Sequence, residues 1–203
     1  MTTRPATNLT GFVNYATARP TARASAIRRA ELGDYNPRGD FYRRMRVAVQ
    51  ADRRTARDGS AVEAAVVNAD SRRKPRFARL TANWEKIYHR WDSCKPHEIH
   101  RVEVDVAGLS LSVSPTFAEL RPDGILEIVV VRYAENAHSI EDLDMILRVV
   151  QRAYRRTHPA EVVVCVDLWG ARLRTSEGRD LTRHDTRIET DAAGLAYALR
   201  NAA

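Results

Sequence analysis

Apolar positions change their period along the chain. From residue 21 to about 91 they recur at helical spacing, and from Val102 to Val113 they alternate. Over ILEIVVVRY (125–133) and EVVVCVDL (161–168) they run together almost without a break. The first pattern predicts amphipathic helices. Thr21 caps one over 21–32 that ends at Gly33, and DYNPRGD, 34–40, has turn chemistry. Asp40 caps a second over 41–57, with Phe41, Met45, Ala48 and Val49 on its apolar side. Gly59 closes it, and Ser60 opens a third with Val62, Ala65, Val66 and Ala69 on one face. Pro75 starts a fourth, 76–91, with Phe77, Leu80, Trp84, Ile87 and Trp91 in a stripe. Arg76, Arg79, Lys86 and Arg90 are interleaved with that stripe, but its three-and-four spacing reads as a core face rather than a base-stacking platform.

The alternating stretch predicts two half-buried antiparallel strands, 102–106 and 109–113, joined at Ala107-Gly108. FAEL continues after Pro115, and RPDG turns the chain into the strand 125–133. An unbroken run of this kind is covered on both faces. Ser139 caps a long helix with Asp142 three residues on, and Leu143, Ile146, Leu147, Val150 and Tyr154 form its buried stripe. The second unbroken run follows, and a right-handed crossover makes it parallel to the first. ARLRT, 171–175, reads as an edge strand, and Thr190 caps a last helix. The fold class is α/β: a mixed sheet, made of an antiparallel meander and one parallel βαβ crossover, flanked by helices. Its parts are a flexible basic arm (1–20), an Arg-rich helical region (21–75) and an α/β core (76–203).

Charge adds a polarity to this picture. Residues 1–101 hold 21 Lys and Arg against 10 Asp and Glu, and residues 102–203 hold 12 against 16. Only Lys74, Lys86 and Lys95 are lysines, a bias that codon composition alone can produce, but the uneven spread is not explained that way. A basic half points to a polyanion, most simply nucleic acid. The phosphate-contacting candidates are Arg43, Arg44, Arg46, Arg53, Arg54, Arg72, Arg73, Lys74 and Arg76. No apolar run approaches the roughly 20 residues of a membrane span. Two cysteines, Cys94 and Cys165, give no disulfide framework and fit a reducing compartment. The expected location is the cytoplasm. The alternative is an organelle reached through a transit segment, since no acid precedes Glu31.

From residue 76 the order helix, three strands, helix, strand resembles the core of the PD-(D/E)XK nuclease superfamily, the RecB-like and restriction-endonuclease-like fold. The resemblance covers about 76–175 and lies in element order, not in a matched motif. It implies an Asp near the second strand and an acid-x-Lys pair on the third, which together hold a divalent metal. Here Val129 stands in the Lys place after Glu127, and Val130 in the acid place before Arg132, whose guanidinium is a poor base. Pro115 and Thr116 stand where the Asp is expected. The resemblance therefore implies a degenerate member that binds nucleic acid or serves as a scaffold without catalysis and without a cofactor. The enzyme alternative is a Mg²⁺-dependent nuclease in which Glu119 and Glu127 meet across the RPDG hairpin, helped by Asp123 or Glu103. The third reading is a protein-interaction subunit whose arginine helices dock an acidic partner.

Two further groups are noted. His89, Cys94, His97 and His100 lie within twelve residues and have zinc-compatible spacing, but no second ligand pair accompanies them. Asp167 ends a buried strand, either as a functional group or as the cap of a turn.

Overall fold

The unbroken apolar runs become the middle of a sheet in the computed structural model, which describes residues 4–31, 40–135, 138–159 and 161–202. In chain order the strands are β1 (Ala6–Asn8), β2 (Lys95–His97), β3 (Val102–Val106), β4 (Leu109–Val113), β5 (Phe117–Leu120), β6 (Leu126–Arg132), β7 (Val162–Asp167) and β8 (Arg172–Thr175). The helices are α1 (Leu9–Ala16), α2 (Arg23–Glu31), α3 (Arg43–Arg54), α4 (Ser60–Val67), α5 (Lys74–Glu85), α6 (Ile140–Tyr154) and α7 (Asp185–Ala202). One sheet has the order β2-β5-β6-β7-β8 and a smaller one β1-β4-β3. β6 and β7 are parallel and joined through α6, while β5–β6 and β7–β8 are antiparallel. The fold is therefore mixed α/β, as the patterning predicts.

Period two explains why β6 and β7 lack alternation. Ile128, Val130, Val163 and Cys165 face a core shared with β4, α1, α6 and α7. Val129, Val131, Val162, Val164 and Val166 face a second core beneath α3, α4 and α5. The predicted stripe of Phe77, Leu80, Trp84 and Trp91 lies in that second core. Ser139 and Asp142 form a full capping box at the start of α6.

The predicted meander is divided between the two sheets. β3 and β4 make the expected hairpin, with Ala107 and Gly108 at positive φ. β6, however, pairs with β5 and β7 rather than with β4. Pro115 has no N–H for a ladder, so the chain leaves one sheet there and enters the other. Thr116 makes the junction: its N–H donates to the Val129 carbonyl (2.8 Å), and its Oγ1 accepts the Val131 N–H (3.0 Å).

The arm expected over residues 1–20 is instead, from Ala6 onward, part of the folded body. β1 pairs in parallel with β4, and Asn8 caps α1 by accepting the Gly11 N–H (2.8 Å). Phe12 and Val13 are fully buried. Leu9, Phe12, Val13 and Ala16 form a helical stripe too short to stand out from a Thr- and Ala-rich background. Other boundaries move by up to six residues. A 3₁₀ turn, Pro20–Ala22, precedes α2. α5 ends at Glu85, and a second 3₁₀ turn, Tyr88–Trp91, rolls Trp91 into the core. α7 starts at Asp185, so Thr190 lies inside it, its hydroxyl donating to the Thr186 carbonyl (2.8 Å). Gly33 and the turn over 34–39 lie outside the described residues. Among those described, no helix is long and apolar enough to cross a membrane.

If α1 is core, Phe12→Ala removes a fully buried ring and should cost about 3–5 kcal/mol in denaturant unfolding. A loose arm would give a variant as stable as the wild type.

Candidate functional site

The β5–β6 register sets Glu119 directly opposite Glu127. Paired positions share a face, so both side chains point into the core that holds Phe117 and Val129, and they are 0% and 1% exposed. The sequence expectation that the two carboxylates meet across the hairpin is met. What surrounds them is not a metal site. Glu119 accepts from Arg53 Nε (2.9 Å) and an Arg57 terminal nitrogen (3.2 Å). Glu127 accepts from Arg90 (2.6 and 3.3 Å) and from the Trp91 indole N–H (2.7 Å), with Arg121 at 3.7 Å. Arg53 and Arg57 also hold the Trp91 carbonyl, and the Arg53 guanidinium lies over the Trp91 and Phe117 rings. Arg57 reaches inward from a left-handed backbone (φ 60°), a conformation rare for a side-chain-bearing residue.

This geometry rearranges the metal candidates. The supporting acids are elsewhere: Asp123 pairs with Arg121 at the hairpin turn, and Glu103 lies on β3 in the other sheet, paired with Arg101. Each carboxylate is thus taken up by its own guanidinium partners, where the sequence reading places a shared Mg²⁺ ion. His89, Cys94, His97 and His100 do not converge either. His89 bonds Asp92, Cys94 is buried, and His97 belongs to β2. Burial, then Glu119 and Glu127, push the Cys94 thiol pKa up, which disfavours the thiolate that zinc requires. Among the described residues no group of three or more His, Cys, Asp and Glu is placed to hold a metal ion. Asp167 is buried and accepts from Arg172 (2.6 Å) and the Gly170 N–H (3.2 Å), so it does cap its turn.

The nine basic candidates fall into three groups. Arg53 is 1% exposed and bound to Glu119, so it cannot reach a phosphate, a correction to the sequence reading. Arg46 and Arg54 line a groove. Two cavities of about 510 and 330 Å³ meet there at Gln50, Ser114, Pro115 and Thr116, where the chain passes from β4 to β5. His97 and His100 line its outer part, and Arg101 and Arg132 its inner part. Its only carboxylates are the exposed Glu98 and the ion-paired Glu119. Arg46 is paired with Asp40, and Gln50 is fixed by donating to the Thr116 carbonyl (3.1 Å).

The other group surrounds the start of α5. The guanidinium groups of Arg72, Arg73 and Arg76 lie 5.3–5.9 Å from the centre of the Phe41 ring, which precedes α3. Arg73 pairs with Asp70 and Arg76 with Glu135. Arg43 and Lys74 are exposed, and Arg44 is turned toward the end of α4, donating to the Asn68 carbonyl (2.9 Å). Neither α3 nor α5 has an acidic residue in its first turn.

Sequence reasoning missed His97, His100 and Arg101 as groove residues, because they enter it through β2 and its exit, a strand with no apolar pattern. It weighed Arg132 only as a stand-in for a lysine. Period two, which puts Arg132 on the buried face of Ile128 and Val130, was the available signal. In comparisons with known proteins the chain matches no family model, no curated protein and no solved structure.

Glu119→Ala leaves Arg53 buried and short of its counter-charge, so unfolding free energy should fall by about 3–5 kcal/mol. Glu119→Leu combined with Arg53→Met should recover most of that loss in the same denaturation series. A metal site, by contrast, would show Glu119→Ala lowering Mg²⁺ affinity with little change in metal-free stability.

Proposed function

We propose that this protein binds nucleic acid without cleaving it, along a basic strip from the start of α5, past Phe41 and the start of α3, into the groove lined by Arg46, Gln50, Arg54, His97, His100 and Arg101. The observation that carries the reading is the way α3 and α5 begin. A helix N-terminus is the positive end of its dipole and favours acids. Here the first turns carry Arg43, Arg44 and Arg46 on α3, and Lys74 and Arg76 on α5, with no acid among them. Asp40 and Asp70 stand just outside and each accept a backbone N–H, a partial compensation. Cations held against the local field are offset by an external polyanion, and phosphates fit both the guanidinium forks and the helix ends. The Phe41 ring among three arginines offers a stacking surface beside them. On this reading the nuclease-like order of elements persists as a scaffold, with arginines in place of the metal.

Contacts of this kind position a strand without reading its sequence. Fluorescence anisotropy with labelled single- and double-stranded oligonucleotides, over a salt series, tests the proposal. Arg54→Glu and Arg72→Glu both change exposed side chains that have no acidic partner among the described residues. Each should weaken binding and reduce the salt slope by about 0.7–0.9 per lost phosphate contact. Affinities and slopes equal to wild type in both variants would sink it. Oligonucleotide breakdown in Mg²⁺ that EDTA and Glu127→Gln both stop would restore the nuclease reading. An acidic protein partner held stoichiometrically after nuclease treatment would support the interaction-subunit reading instead.

A further inference from the structure

The inner end of the groove holds a buried charge that no ion pair among the described residues matches. Arg132 ends β6 on the face of Ile128 and Val130, and is 6% exposed. Its terminal nitrogens donate to Thr10 Oγ1 (3.3 Å) and Asn14 Oδ1 (3.4 Å), and one lies 3.4 Å from His138 Nε2. Its Nε is buried with no hydrogen-bond partner. All three partners are neutral or weakly basic groups. Asp167, its neighbour across the parallel ladder, attracts it but is hydrogen-bonded to Arg172, and no carboxylate among the described residues forms an ion pair with Arg132. Burial pushes the pKa of its guanidinium down, and lowers that of His138 beside it, with Arg132 adding to the second effect. A buried cation without a counter-ion is among the most expensive features a fold can carry.

The pocket against it has the composition of an anion site. About 330 Å³ is lined by Thr10, Arg46, Arg101, Ser112, Ser114, Arg132 and their neighbours, with no acidic residue among the described residues of the wall. Arg46 and Arg101 are each balanced by an acid outside the wall, Asp40 and Glu103, so Arg132 is the unmatched charge. The first turn of α1 borders the same space through Leu9 and Thr10. First-turn N–H groups have no acceptor inside their own helix; here that of Gly11 is taken by Asn8 and that of Leu9 lies in the ladder to Ser112. The start of α1 and the buried Arg132 guanidinium, bonded to each other through Thr10, therefore border one cavity side by side.

We propose that this pocket binds a phosphomonoester group, carried either by a small phosphorylated metabolite or by the phosphorylated end of a nucleic-acid strand. A terminal phosphate carries up to two negative charges and three free oxygens, which suits a guanidinium fork facing a helix start and hydroxyl groups. An internal phosphodiester, with one charge and two blocked oxygens, suits it less. The site stands without the strip described above, since it rests on Arg132 and α1, which that strip does not use.

Calorimetric titration of the full chain with inorganic phosphate, a 5′-phosphorylated trinucleotide and its 5′-hydroxyl counterpart tests this. Phosphate and the phosphorylated trinucleotide should bind saturably, one per chain, and the hydroxyl form should bind at least tenfold more weakly. Tighter binding of the phosphorylated trinucleotide than of phosphate identifies a strand end as the source. Equal binding identifies a small phosphorylated molecule. Arg132→Gln and Thr10→Val should each weaken phosphate at least tenfold, with thermal melts showing that the variants fold. If Arg132→Gln does not fold, Thr10→Val together with Arg101→Gln, at the exposed mouth, decides the matter by the same tenfold criterion. No saturable phosphate binding to the wild type, or unchanged affinity in the folded variants, overturns the proposal. Salt-dependent binding of the 5′-hydroxyl oligonucleotide would then still report on the strip alone.

Discussion

Two carboxylates placed side by side by a β-ladder repel each other wherever water cannot screen them, and in this chain that pair lies at the centre of a core. Neutralising Glu119 and Glu127 requires cations delivered from above the sheet. Arg53 and Arg57 arrive from the end of α3 and the turn after it, Arg90 from the turn after α5, and Arg121 from the hairpin itself. Each guanidinium is fixed in orientation by the fork of bonds it makes, so satisfying the carboxylates also fixes the helices. The Trp91 indole N–H and carbonyl join the network, which still leaves one terminal nitrogen of Arg53 buried without a partner. The N-terminal helices are thus bound to the sheet electrostatically as well as by the apolar contacts of Met45, Val49, Phe77 and Trp84.

This constraint changes how the net charge is read. A surplus of eleven positive charges in the first half is a count of residues, not of available charge. Arg53, Arg57 and Arg90 are consumed by Glu119 and Glu127, and Arg46, Arg73 and Arg76 are matched one to one by nearby acids. The remainder, among them Arg43, Arg54, Arg72, Lys74 and Arg79, lies on the exposed surface of α3, α5 and the turn before α5. Ion pairs at that surface are worth little and exchange readily, so Arg73 and Arg76 remain open to a stronger anion in a way that Arg53 does not. Burial, not sequence position, separates the arginines committed to the core from those left at the surface.

What the amino-acid pattern revealed and what it concealed divides along the same line. β3, β4, β6, β7 and the capped start of α6 are written locally: in period, in Ala107-Gly108, and in Ser139 with Asp142. The proximity of Glu119 and Glu127 follows from the RPDG turn, which is local too. The identity of their partners does not, because Arg53 precedes Glu119 by 66 residues. A pair of acids on a strand looks the same whether a metal or a guanidinium answers it. β1 and α1 were hidden for a related reason. A three-residue strand and a two-turn helix carry too few positions for periodicity to register, and only the waiting edge of β4 gives them a place.

That edge also accounts for the groove. Had β4 continued into a single meander, β6 would have paired against it and the space over Val130 and Arg132 would have closed. Pro115 prevents this by ending one ladder, and Thr116 begins the next by bonding both Val129 and Val131. The divided sheets then leave a channel floored by Ser114, Pro115 and Thr116, into which β1 delivers the start of α1. Arg132 tolerates its burial only because Thr10 and Asn14, one turn apart on α1, reach down to it. The N-terminal segment is therefore not an attachment to the α/β body. It supplies one wall of the cavity, and without it the Arg132 side chain would keep only His138 as a hydrogen-bond partner among the described residues.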